Sequence, residues 1–98
     1  MDLDEKNQVL VAIYTEYQKP LPKIDKSINH DIVNLEKLIF NAAIAKLENE
    51  GYIKGSILLG ALNPLNPKVV RLTKTVITSK GIKYVEDMLE IDEKLSKN

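Results

Sequence analysis

At Gly51 the spacing of apolar side chains changes, and that change limits the possible folds more than any other feature of the chain. Before Gly51 apolar residues recur about every 3.6 positions, the period of one helix face. After it they alternate or run together, as in Tyr52-Ile53-Lys54-Gly55-Ser56-Ile57-Leu58-Leu59 and Val69-Val70-Arg71-Leu72-Thr73-Lys74-Thr75-Val76-Ile77. Both runs read as strands. Asn63-Pro64 and Asn66-Pro67 lie between them, and Asn-Pro pairs demand a turn and blunt a sheet edge. Past Thr78 the helical period returns. The class is therefore α+β, with helices expected over about 3–18, 25–33, 35–50 and 79–96 and strands over about 52–60 and 69–77.

Local signals support each helix. Leu10, Ile13, Tyr14 and Tyr17 form one stripe, with Asp2, Asp4 and Glu5 at the dipole's positive end. Pro20 and Pro22 stop that helix, since neither donates a backbone hydrogen bond. Ile24, Ile28 and Ile32 sit four apart in the second helix. Asn34 is placed to cap the third, whose apolar positions run from Leu35 through Leu47, and Gly51 takes its C′ role. Thr78 or Ser79 caps the last helix, which carries Tyr84, Val85, Met88, Leu89, Ile91 and Leu95.

Without internal repeats or low-complexity stretches, residues 1–98 read as one folded unit, a usual size for a domain. The absence of cysteine excludes disulfides, thiolate metal sites and cysteine nucleophiles. An acidic start and a longest apolar run of only 9–14 fit neither a secretory signal nor a membrane helix, so the expected location is the cytoplasm. His30 is the only histidine and has no second ligand or nucleophile to complete a site. Glu48 and Glu50 point to different helix faces, and Glu86, Asp87 and Glu90 read as a solvated face. The four glycines have no phosphate-loop spacing. No enzyme activity, metal, cofactor, membrane or small-molecule ligand is expected.

Charge is the informative feature. Fourteen basic and fourteen acidic residues cancel, yet residues 51–85 contain no acid at all, while Lys54, Lys68, Arg71, Lys74, Lys80 and Lys83 fall inside that window. The hairpin and the start of the last helix are basic, and the remainder is acidic.

Helix, helix, helix, strand, wing, strand, helix is the order of a winged helix-turn-helix domain. More specifically, Leu47-Glu48-Asn49-Glu50-Gly51-Tyr52-Ile53-Lys54-Gly55 and Val76-Ile77-Thr78-Ser79-Lys80-Gly81-Ile82-Lys83-Tyr84-Val85-Glu86 resemble the YjcQ family of small winged-helix proteins. That family occurs in low-GC Gram-positive bacteria and their phages, and the likeness spans roughly residues 8–90. It implies the winged-helix fold and no particular activity. The expected function is binding of double-stranded DNA by a phage or prophage-like regulator. Lys54, Lys68, Arg71 and Lys74 of the wing would meet phosphate, while Asn34, Lys37 and Asn41 would face the groove. Glu36, Glu48 and Glu50 count against a strong reading helix, and Phe40 belongs to the core. The alternative is a non-enzymatic interaction module, docking a protein partner or a second copy through Met88, Ile91 and Leu95.

Overall fold

The computed structural model describes residues 4–60 and 66–96, with side chains described as far as Glu90. Four helices and two short antiparallel strand pairs make a small α+β structure. Part of the expected turn, Asn63-Pro64-Leu65, lies outside the described residues, as do the side chains of Ile91 and Leu95.

Helix α1 (Glu5–Tyr17) starts where the Asp4 carboxylate accepts the Asn7 amide at 2.8 Å. Its buried face is Val9, Leu10, Ile13 and Glu16. This corrects the expected stripe: Tyr17 is exposed, and Tyr14 reaches sideways to donate to Glu86 on the last helix at 3.1 Å. The buried carboxylate of Glu16 organises the connection that follows, accepting the Lys23 amide at 3.0 Å and pairing with Lys19 at 2.9 Å.

Helix α2 (Ile24–Ser27) has only four residues, where a helix to residue 33 was expected. Ile28 is extended, and Asn29 starts a separate turn by accepting the Ile32 amide through its side chain at 2.9 Å. Short polar side chains of this type offer the backbone an alternative to the helix ladder. The break leaves Ile24 and Ile28 buried but turns Ile32 outward. The turn closes with Asn34 amide to Asp31 carbonyl at 3.1 Å and Leu35 amide to His30 carbonyl at 2.8 Å. Asn34 itself is left-handed, at φ 58°. It therefore ends a turn rather than capping a helix.

Helix α3 (Lys37–Asn49) begins after Glu36 without a side-chain cap. It buries Phe40, Asn41, Ala43, Ile44, Ala45 and Leu47 and packs on α1. Leu38 and Ile39, expected on its apolar face, are exposed. Gly51, at φ 80°, ends the helix in a Schellman arrangement: its amide reaches the Glu48 carbonyl, and that of Tyr52 the Leu47 carbonyl.

Each long strand expected from the sequence is two short ones. Strand β1 (Ile53–Lys54) pairs with β4 (Val76–Ile77), and β2 (Ile57–Leu59) with β3 (Val69–Arg71). Gly55 and Ser56 on one arm face a longer excursion, residues 72–75, on the other. That excursion is a turn closed by the Thr75 amide on the Leu72 carbonyl at 3.0 Å, and the Ser56 and Thr75 hydroxyls bridge the arms at 2.7 Å. Strict alternation would have put Leu72 and Lys74 on one face. The turn instead buries Leu72 and exposes Lys74.

Helix α4 (Ser79–Ser96) is capped by Thr78, whose hydroxyl accepts the Gly81 amide at 3.0 Å and donates to the Gly51 carbonyl at 2.6 Å. One threonine thus joins the end of α3 to the start of α4. The core gathers Val9, Leu10, Ile13, Ile44, Leu47, Ile53 and Val85. No helix among the described residues is long and apolar enough to cross a membrane.

Candidate functional site

The cations singled out by the sequence occupy different elements, and the fold brings only some of them together. Lys54 ends β1, Lys68 precedes β3, Arg71 ends it, Lys74 tops the 72–75 turn, and Lys37 opens α3. All five are exposed, and none forms an ion pair with a described acid. Lys37 and Arg71 line one cleft of about 410 Å³ between the turn after α2, the start of α3 and β3. Lys74 lies apart, beside a smaller cleft of about 260 Å³ that also includes Lys23.

Asn41 requires a correction. It is 2% exposed, and its amide donates to the Lys68 carbonyl at 2.9 Å. A side chain committed in this way holds the base of the hairpin on α3 and is not presented to a base edge. Asn34 is exposed, but in the turn before α3 rather than on its first turn. The outward side of α3 carries Leu38 and Ile39 instead.

Two of the three acids that counted against a duplex, Glu48 and Glu50, are engaged within the protein. Glu50 pairs with Lys6 at 2.8 Å, and its carbonyl accepts from Lys80 at 2.7 Å. Glu48 accepts the Ser56 amide at 2.8 Å. The Glu50 carboxylate holds the Lys6 ammonium above the ordinary lysine value. Burial and the Glu86 carboxylate raise the Tyr14 phenol. Glu36 remains exposed at the mouth of α3.

The outer strand pair has one face turned to solvent. Ile57, Leu59 and Val69 are exposed there beside Arg71, whereas Leu58 and Val70 turn inward to the core. On α4, Met88 packs against the core and Leu89 is exposed. Among the described residues no group of three or more His, Cys, Asp or Glu side chains is placed to hold a metal ion. His30 lines the 410 Å³ cleft, with Nδ1 3.4 Å from the Asp31 carboxylate.

Glu16 gives a pH prediction. The Lys23 amide, and after it the Lys19 ammonium, hold its carboxyl below the ordinary glutamate value. A depressed folded-state value contributes stability that is complete above the unfolded value and is lost as pH falls through the folded one. Glu16→Gln is therefore expected to destabilise the protein at neutral pH. The gap to the parent should close on the acid side of the ordinary carboxylate range. Urea denaturation at several pH values reads this directly, and a gap independent of pH would refute the assignment.

No family model matches the chain, and no curated protein or solved structure matches it either.

Proposed function

We propose that this chain is a winged helix-turn-helix protein of YjcQ type that binds double-stranded DNA mainly through the phosphate backbone, as a phage or prophage-like regulator. The observation that carries this reading is the set of five exposed cations, Lys37, Lys54, Lys68, Arg71 and Lys74, without described acidic partners. Three helices, a hairpin and a further helix supply the order of elements the reading needs. In it α3 is the groove helix and the β2–β3 pair is the wing. Buried Asn41 and exposed Leu38 and Ile39 make α3 a weak reader of bases, so affinity exceeds sequence discrimination.

Neutralising five phosphates gives a log–log salt slope of roughly −4 to −5. Fluorescence anisotropy with a mixed-sequence duplex measures that slope, and a value near zero would sink the proposal. Changing Lys68, Arg71 and Lys74 together to glutamine is expected to flatten it by about 3 units. Because all three side chains are exposed, the melting temperature should change little.

One observation favours a second reading, an interaction module without DNA binding: Ile57, Leu59 and Val69 form an apolar solvent-facing strip. In that case the duplex leaves the anisotropy unchanged for the parent and for the triple glutamine variant alike.

A further inference from the structure

We infer that the cleft between the turn after α2, the start of α3 and β3 binds a small organic anion, a carboxylate carried on an aromatic or branched apolar body. The cleft holds about 410 Å³, within the range of roughly 300–1,000 Å³ typical of small-molecule sites. Its lining divides by chemistry. Ile28, Phe40 and Leu72 supply an apolar floor, each under a tenth exposed, while Lys37 and Arg71 bring positive charge and His30 an imidazole. Asp25 is the single acid in the lining, so two full cations outweigh it.

A backbone phosphate has no use for an apolar floor. A ligand with an apolar body gains from covering one, and its carboxylate gains from a guanidinium that offers paired donors. Neither neighbouring cleft combines these properties. The groove between α1 and α3 sets Asp4 and Glu5 against Lys6 and Lys46, and cancels its charge. The one beside Tyr17 and Lys74 is smaller, at about 260 Å³, and has no imidazole.

This site was not legible in the sequence, where no small-molecule ligand was expected. His30, Lys37 and Arg71 belong to a turn, a helix start and a strand end that only the packing of the hairpin on α3 brings around one space. Lys37 and Arg71 are also two of the cations assigned to phosphate. An occupied cleft would therefore compete with DNA, a consequence that rests on the DNA-binding reading, whereas ligand binding itself does not.

The test uses the full chain without DNA, titrated with sodium benzoate at constant ionic strength and followed by amide chemical shifts. A fragment of this size is expected to saturate with a Kd on the order of 1 mM, with shifts centred on His30, Val70, Arg71, Leu72 and the Asn41 side-chain amide. Sodium acetate lacks the ring and benzyl alcohol lacks the charge, and each should bind about tenfold more weakly or worse. The Lys37→Gln, Arg71→Gln double variant changes two exposed side chains. It should raise the benzoate Kd about tenfold while leaving the hairpin's amide pattern in place. Absence of saturable shifts, acetate binding as tightly as benzoate, or a double variant with parent affinity would each overturn the inference. None of those outcomes touches the duplex titration, so the two proposals fail separately.

Discussion

Gly55→Ala is expected to lower the melting temperature by roughly 15–25 °C, the largest effect among the glycine-to-alanine changes. Gly55 sits at φ 90°, a left-handed conformation that disfavours any residue with a Cβ by about 1–2 kcal/mol. The added methyl would also stand 2.1 Å from the Lys74 carbonyl oxygen and 2.9 Å from its carbon. Those are backbone atoms of the turn 72–75, and they cannot move without disturbing the Thr75–Leu72 hydrogen bond. Together the two effects cost about 3–4 kcal/mol, a large share of the roughly 5–15 kcal/mol that holds such a domain folded. Gly51→Ala is the control. Its φ is 80°, but the nearest atom to an added methyl is Lys80 Cδ at 3.9 Å, so only the conformational cost applies. Thermal denaturation of both variants separates the terms. Equal losses would mean that the close approach to Lys74 does not exist.

Gly81→Ala is the second large effect, and its sign is the point of interest. Gly81 lies in the first turn of α4, where alanine is a better helix former by about 1 kcal/mol. Propensity alone predicts a more stable protein. In the folded chain the new methyl would meet the Tyr52 carbonyl oxygen at 2.2 Å and Ile77 Cγ1 at 2.8 Å. That carbonyl already accepts the Thr78 amide at 3.0 Å and lies 3.1 Å from the Thr78 hydroxyl, so moving it weakens the joint between α3, β4 and α4. Overpacking of this kind costs about 1–3 kcal/mol and the hydrogen bonds about 1 kcal/mol more, which leaves a net loss of about 2 kcal/mol. Urea denaturation distinguishes the outcomes: a midpoint above the parent's would show that α4 does not approach Tyr52 this closely.

Signals acting over a few residues were readable in advance. Gly51 ends α3 because glycine takes its φ without strain, and a cap for α4 was readable at Thr78 or Ser79, between which the Thr78 hydroxyl on the third amide of the helix decides. The exposure of the lysines was readable too, since an ammonium is rarely buried without a partner. Asn41 was misread because a polar residue on a helix normally faces water. Here the Lys68 carbonyl, brought up by the hairpin, provides a buried partner that no local pattern announces. Glu16 was missed for the same reason, as its carboxylate completes the backbone of a loop after the helix ends. The shortness of α2 did have a signal, the side-chain cap at Asn29, but the spacing of Ile24, Ile28 and Ile32 masked it.

The succession of helices, hairpin and terminal helix, the helix stops and the acid-free basic stretch follow from the order of residues, because period, capping and charge act along the chain. Which face of α1 is buried, where the hairpin arms break, and that Lys37, His30 and Arg71 surround one cleft follow from packing. Those outcomes depend on pairs of atoms distant in sequence, such as Gly55 against the Lys74 carbonyl and Asn41 against that of Lys68. Their energies arise only when the elements meet.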